Sequence, residues 1–518
     1  MSLQRSKKKK MDGPLVLAAI IMVVVLAVNS MSSFLYWTNT WVDTNATWVL
    51  AKAMLFDSQV LYKDIYDQRG IILYLVYGIG SLISALFATK TSFIGLFILE
   101  CLFGILNLIF ARKIIDLVRI KYKYLAMIAA VFIFSNIARG GGGGAPEEFM
   151  NPLVTILLYL ILKISYHDYK LTKIDYYLQG LFLALAFWTK FSFMGFWLGF
   201  FLYIGLDLLI KKDFIKLIRA ATFSLIGFAT VTLPVLFYFL INGALGDLYF
   251  GYWKLNTQYY RPSASLMNNL INIPGNFFID WTANPFRTLF FILLIFGCVY
   301  FLKKNTQLLF IVICVGVAGV YFSGTAYEYY SFIFHPFVYL GILAVLKVLE
   351  NKFKTLNINQ LVIIGGLLIL LSFRGNSVTQ LSIQENKDII SLIQSHSPNQ
   401  TPSILQYSGL DTRFYNLLGV NPNIKYFLQT NINKEQFPEM PLERLRYMDE
   451  SKIDFVLYNK SLPTSFESLP NSDLTITTSQ EYFNRHGNKL TIKVPKVLKD
   501  NYHLIGNEGD YLVYKKNV

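Results

Sequence analysis

The sequence predicts an α-helical polytopic membrane protein with about eleven crossings, outer-leaflet helices besides them, and a small C-terminal extracytoplasmic α/β domain. Three observations predict it. Only 15% of the 518 residues are charged and 54% are hydrophobic, where a soluble chain carries nearer a quarter charged residues. Runs such as PLVLAAIIMVVVLAVNSMSSFLYW, residues 14–37, are long enough to span a hydrocarbon core of ~30 Å as a helix. Near residue 373 the apolar runs stop and the chain turns polar, which divides it into a membrane domain, 1–373, and an extracytoplasmic domain, 374–518.

The formal charge of +15 is distributed unevenly. Residues 374–518 hold 16 Lys and Arg against 15 Asp and Glu, and the other 31 bases face only 17 acids in the membrane part. Those bases sit in short loops, the pattern of cytoplasmic segments in a membrane protein and not of a nucleic-acid surface. The three cysteines, Cys101, Cys298 and Cys314, lie in apolar stretches, so the tail has no disulfide framework and no CxxC metal site. The first apolar run lacks a small-residue cleavage site and reads as a retained helix.

The positive-inside rule lays the chain across the bilayer. Lys7 to Lys10 put the N-terminus in the cytoplasm. Basic clusters at 112–123, 163–173, 211–219, 303–304 and 347–354 mark further inner loops, which leaves 37–69, 138–149, 243–286 and 323–330 outside. A helix near 360–373 then delivers the tail to the outer face. The run 70–88, GIILYLVYGIGSLISALFA, breaks the alternation if it crosses. It therefore reads as lying in the outer leaflet.

Two outer segments carry acids. "RGGGGGAPEEFMNPL", residues 139–153, sets Glu147 and Glu148 behind five glycines and just before a helix start placed at Asn151–Pro152. Capping of that helix by acids is one reading. A glycine loop that lets backbone approach a ligand is another, and plain disorder of the glycines a third. In the first loop, Asp43 follows the first crossing and opens a short helix, Thr44 to Phe56. It is either an N-cap or a carboxylate that meets Glu147 over one cavity. Two such carboxylates can deprotonate an acceptor or hold a divalent cation, Mg or Mn, on Asp43 and Glu147. Arg69 at the end of the loop either snorkels or forks onto a phosphate.

Several stretches together resemble the bacterial branch of the glycosyltransferase C superfold, with the protein O-mannosyltransferases and aminoarabinose transferases. They are Asp43 after the first helix, "LYKDIYDQRGIILYLVYGIG" (61–80), "EEFMNPL" (147–153), "GLFLALAFWTKFSF" (180–193), "LPVLFYFLINGALGDLYFGYWKLNTQYY" (233–260) and "YEYYSFIFHPF" (327–337). The resemblance covers roughly residues 14–345. It implies a polyprenyl-phosphate sugar donor, an acceptor on the outer face and an inverting transfer. It makes Asp43 the catalytic acid and Glu147 or Glu148 the second one. This chain has DQRGI where many relatives carry a lysine followed by prolines, so Arg69 takes the place of that lysine as phosphate ligand.

A donor of that kind needs cations at headgroup level and an apolar groove for its tail. Lys190, between two helices, is a candidate beside Arg69, with snorkelling as its alternative. Arg139, Arg261 and Arg287 are weaker ones. Tyr62, Tyr259, Tyr329 and Tyr330 suit sugar or acceptor contact, and the aromatic-rich outer loops suit an interfacial belt equally well. His335 reads as packed. In the tail, TPSILQYSGL, IDFVLYN and YLVYKK read as strands and PLERLRYMDESK as a helix. The leading expectation is a cell-membrane glycosyltransferase moving a hexose or pentose to a cell-envelope glycan, lipid or protein. A lipid-linked glycan transporter or flippase, and an envelope-assembly scaffold, are the alternatives from other classes. Against a transporter, the acids sit at helix ends and no inverted repeat is visible.

Overall fold

The computed structural model describes residues 12–87, 92–259, 266–301, 307–322, 327–352, 357–373, 380–398, 401–407, 412–428, 437–460, 471–477 and 489–517. Helices dominate: α1 (Gly13–Asn29), α2 (Val42–Phe56), α3 (Ile71–Leu86), α4 (Ile94–Leu117), α5 (Lys123–Gly141), α6 (Pro146–His167), α7 (Lys173–Thr189), α8 (Gly195–Ile210) and α9 (Phe214–Ile241). A single turn, α10 (Leu245–Leu248), leads into a π-helix, Tyr249–Tyr259. Then come α11 (Leu266–Thr282), α12 (Pro285–Phe301), α13 (Gln307–Tyr321), α14 (His335–Lys352) and α15 (Ile358–Ser372). Among the described residues five segments are long and apolar enough to cross a membrane, and shorter apolar helices join them.

Side-chain contacts sort the helix ends into two layers. At one, the basic end, Arg112 pairs with Asp12 at 2.8 Å and Lys123 with Asp116 at 2.8 Å. There Lys347 donates to the Arg119 carbonyl at 2.7 Å, and Glu350 accepts from the Lys121 amide at 2.6 Å. At the other, Met31 N donates to Gly142 O at 2.8 Å, Asn29 Nδ2 to Ser372 O at 2.7 Å and Asn151 Nδ2 to Phe332 O at 2.9 Å. Contacts place the ends of α1, α4, α5, α6, α14 and α15 at one or other of these layers. The many apolar helices agree with the sequence expectation of a polytopic helical fold.

α3 stays at the second layer. Its middle residue Tyr77 donates to Gly144 O at 2.6 Å, and near its C-terminus Ser84 Oγ accepts from Gly95 N at 2.9 Å, at the start of α4. A helix touching that layer at both places does not cross. Crossing helices elsewhere meet at glycines, as expected where lipid offers no hydrophobic drive and close packing must supply the attraction. A Cβ on Gly180 of α7 would lie 2.0 Å from Ser224 O of α9, and one on Gly341 of α14 would lie 1.9 Å from Leu293 O of α12.

The tail sits on the second layer. Its four-stranded sheet runs β1 (Ile404–Gln406), β2 (Phe455–Asn459), β6 (Tyr511–Lys516), β5 (Tyr502–Glu508), and β1 pairs parallel with β2 while the others are antiparallel. β3 (Asn471–Thr477) and β4 (Lys489–Pro495) form a separate hairpin. Helices α16 (Gln380–Ser395), α17 (Arg413–Leu417) and α18 (Glu439–Asp449) flank the sheet sequence. Strands 404–406, 455–459 and 511–516 fall within the stretches read as strands from sequence, and helix 439–449 overlaps the stretch 441–452 read as a helix, starting two residues earlier. The tail docks through backbone and rings: Tyr66 N donates to Lys425 O at 2.9 Å, Tyr66 packs on Tyr426, and Phe437 packs on Phe250 and Tyr259.

Candidate active site

The site is built where three chain breaks meet. The first is the loop between α2 and α3. Asp43 stands in the first turn of α2, one residue past its start. Arg69 reaches it from the far end of the loop, Nη2 to Oδ1 at 2.6 Å, while Nη1 holds Asp67 Oδ2 at 2.5 Å. Asp67 is 1% exposed and is itself fixed by the Tyr74 hydroxyl at 2.7 Å and the Gln68 amide at 2.7 Å. Tyr62 donates to the Arg69 carbonyl at 2.5 Å. Burial works against charge on the guanidinium, but Asp43 and Asp67 beside it outweigh burial and hold its pKa above the ordinary value.

The second break is the glycine turn between α5 and α6. Gly142, Gly143 and Gly144 have φ of 66°, 92° and 84°, conformations that L side chains rarely adopt. A Cβ on Gly143 would fall 2.0 Å from Ser30 Oγ and 2.9 Å from Glu100 Oε1, and one on Gly144 would fall 2.5 Å from the Tyr77 hydroxyl. The glycines are therefore an ordered, close-packed turn. They admit neighbouring side chains of the protein itself, which decides against disorder.

That turn sets the entry of α6, and here the sequence reading needs correction. The helix starts at Pro146, not at Asn151–Pro152, so both acids lie in its first turn. Proline suits that first position, where its missing N–H costs nothing. The two acids then diverge. Glu148 turns back and accepts from Ala145 N at 3.3 Å as a cap, away from the cavity wall. Glu147 points into the cavity, is 1% exposed, and meets Lys190 Nζ at 3.0 Å.

The third break is at Lys190 itself, where α7 stops at Thr189 and a 3₁₀ turn, Phe191–Met194, leads into α8. Lys190 lies over the rings of Tyr329, Tyr330 and Phe193 at 4.8, 4.7 and 5.1 Å, a cation–π cradle that holds the ammonium in place. The first and third breaks are pinned together, because Gly70 N donates to Thr189 O at 3.1 Å and a Cβ on Gly70 would lie 2.0 Å from Trp188 O.

Between them is a cavity of about 570 Å³. Its lining includes Asp43, Arg69, Glu147 and Lys190 with Gln68, Thr44 and Asn256. It also includes the apolar residues Met194, Leu198, Val315, Ala318, Val320 and Phe322 of α8, α13 and their ends, and Trp253 and Thr257 of the π-helix. Of the aromatic candidates, Tyr329 and Tyr330 line the cavity, whereas Tyr62 lies behind the loop and Tyr259 packs on Phe437. The side chain of Arg139 and all of Tyr260 and Arg261 lie outside the described residues. Arg287 pairs with Asp280 at 2.8 Å, and His335 is buried against Phe290 and Phe332.

Sequence reasoning missed Asp67, which holds Arg69, and Glu100, which lies against the glycine turn and is not among the residues lining the cavity. Asp67 had a signal, the paired acids of KDIYDQRG. Glu100 had one as well, a single acid in an apolar helix, the situation in which an ionisable residue is a functional candidate by default. As metal ligands, Asp43 and Glu147 do not make a cage. Among the described residues no group of three or more ligand side chains exists, and each of the two acids already faces a cation. A divalent ion there would have to displace Arg69 or Lys190.

No family model matches the sequence, and no curated protein matches it. Among solved structures, the chain is similar to the Archaeoglobus fulgidus oligosaccharyltransferase in complex with Zn and sulfate, at 12% identity and a TM-score of 0.48, over 86% of this chain and 68% of that one. It is similar to ArnT from Cupriavidus metallidurans in the apo state at 11% identity and a TM-score of 0.53, over 97% and 96%. It is also similar to ArnT bound to undecaprenyl phosphate at 9% identity and a TM-score of 0.56, over 97% of both chains. At such identities the likeness is one of fold: the chain shares the fold of ArnT.

Proposed function

We propose that the protein is a cell-membrane glycosyltransferase that moves a hexose or pentose from a polyprenyl phosphate to an acceptor on the outer face, with inversion. The acceptor is a cell-envelope glycan, lipid or protein. The observation that carries the reading is the cavity's lining. Two carboxylate–cation pairs share it with apolar side chains from α8 and α13, which suits a molecule that joins a sugar phosphate to a hydrocarbon. ArnT, whose fold this chain shares, has been crystallised with undecaprenyl phosphate.

In this reading the donor's phosphate is drawn between Arg69 and Lys190. Arg69 releases Asp43 and keeps Asp67, so the guanidinium stays in place while a carboxylate is freed. The acceptor hydroxyl then attacks the anomeric carbon from the side opposite the phosphate. Its proton passes to Asp43, the new C–O bond forms, and the C–O bond to phosphate breaks with its electron pair leaving on the polyprenyl phosphate. Glu147, held by Lys190, orients the acceptor or the sugar.

The test is sugar transfer by protein in lipid nanodiscs from synthetic undecaprenyl-phosphate sugars to an envelope extract. Transfer that Asp43→Asn abolishes supports the reading, and donor turnover that ignores Asp43 defeats it. We further propose that 1–373 is the membrane domain, that 374–518 is an extracytoplasmic domain, and that the N-terminus is cytoplasmic. Cysteines placed in 138–149 and in the tail should react with an impermeant reagent from outside, and one at Lys121 should not. Labelling at Lys121 would reverse the orientation.

A further inference from the structure

Four oxygens of residues that line the cavity have no partner within the protein: Thr189 Oγ1, Ser192 Oγ, Gln68 Oε1 and Glu147 Oε2. The atoms are all buried, and the Thr189 and Glu147 residues are 2% and 1% exposed. Buried polar atoms are nearly always bonded, so side chains that turn toward a bound molecule would gain the bonds they lack. Their segments are neighbours. Thr189 and Ser192 flank Lys190 at the break after α7. The bond from Gly70 to Thr189 O brings the Gln68 loop beside them, and Lys190 brings Glu147.

Their chemistry says which part of a ligand they meet. A carboxylate oxygen and an amide oxygen only accept hydrogen bonds, whereas hydroxyls donate and accept. A phosphodiester only accepts, so it leaves Glu147 Oε2 and Gln68 Oε1 unsatisfied. A polyol satisfies all four. Glu147 is already balanced by Lys190 at 3.0 Å, so an anionic sugar would be repelled there and a cationic one would compete with Lys190. We propose that Thr189, Ser192, Gln68 and the free oxygen of Glu147 form the subsite for the hydroxyl groups of an uncharged sugar. The inference rests on the transferase reading and specifies its substrate class.

The test compares lipids. Binding to protein in nanodiscs is measured for bare undecaprenyl phosphate and for the same lipid carrying glucose, mannose, arabinose, glucuronate or an amino sugar. Wild type should bind at least one neutral sugar lipid more tightly than the bare lipid and than either charged one. The double variant Thr189→Val with Ser192→Ala should weaken that sugar lipid about tenfold to a hundredfold, as expected for two hydrogen bonds. Its affinity for the bare lipid should stay within about twofold and its melting temperature near wild type. Thr189→Ser, which keeps the hydroxyl, should bind like wild type. Equal loss for both lipids would assign the hydroxyls to phosphate and overturn the subsite. So would no loss, no preference for any sugar, or preference for a charged one. If wild type binds none of these lipids, the transferase reading falls and takes the subsite with it; binding without discrimination sinks the subsite alone.

Discussion

Both ends of the helix bundle hold ion pairs, and they differ in what surrounds them. At the basic end Arg112 joins Asp12 and Asp116, whose side chains are 35% and 51% exposed, while Glu350 beside Lys347 is buried but does not line the cavity. At the site end Asp67 and Glu147 are 2% and 1% exposed at the side chain, and their partners Arg69 and Lys190 line a cavity. An exposed pair contributes little, about 0–1 kcal/mol. A buried pair costs desolvation that its attraction barely repays. The pairs at the site end differ from the equally buried Lys347–Glu350 pair in that their cations line the cavity. On the proposed reading the basic end serves orientation and the site end serves reaction.

The largest test of that contrast is Asp43→Asn. Asparagine caps a helix about as well as aspartate, so a structural role for Asp43 predicts almost no change. As the proton acceptor it predicts a fall in transfer of roughly two to four decades, with the melting temperature unchanged. Near-wild-type transfer would return Asp43 to the helix end.

Stability separates the two ends next. Lys190→Ala leaves Glu147 buried without its cation, a change that costs about 3–5 kcal/mol when one partner of a buried pair is removed. Adding Glu147→Gln to it should recover part of that loss, because the stranded charge disappears. Denaturation of the wild type, both single variants and the double variant in detergent closes the cycle. Additive losses would mean that the two side chains do not sense each other.

A smaller loss is expected at the turn that aims Glu147. Gly143→Ala forces a side chain into φ of 92° and to 2.0 Å from Ser30 Oγ. Strain of that kind costs on the order of 1–3 kcal/mol. Melting temperature and transfer should fall together, since the glycine turn fixes the start of α6. A Gly143→Ala protein as stable as wild type would leave the turn free to move.

What could be read in advance follows from the kind of signal. A helical membrane fold depends on composition summed over twenty residues and was legible, and α3, read as lying in the outer leaflet, keeps its contacts with Gly144 and Gly95 at the second layer. The acids were legible as charges in unlikely places. Their division of labour was not. Glu147 and Glu148 are adjacent and chemically identical, and which one faces the cavity depends on where α6 begins, which one proline decided over another. Asp67 acts through Arg69, a contact that the loop's fold creates. Tyr62 and Tyr259 show the converse: aromatic rings near a site in sequence can serve its walls from behind.

The smallest effect completes the comparison at the basic end. Arg112→Gln removes a cation that touches Asp12 at 2.8 Å and Asp116 at 2.5 Å. By distance this cluster is as tight as the one around Arg69. If proximity alone set the importance of an ion pair, Arg112→Gln would be as damaging as a change at Arg69. Solvent separates the cases: Asp116 is half exposed and keeps Lys123 at 2.8 Å, so water and a second cation take over when the guanidinium is gone. The expected loss of stability is about 1 kcal/mol or less, and transfer should stay within about twofold of wild type, because no residue of this cluster lines the cavity. Side-by-side transfer assays of Arg112→Gln and Arg69→Gln are the measurement. A drop of a decade or more with Arg112→Gln would mean that the two ends are coupled through the length of α4, which carries Glu100 near one end and Arg112 near the other.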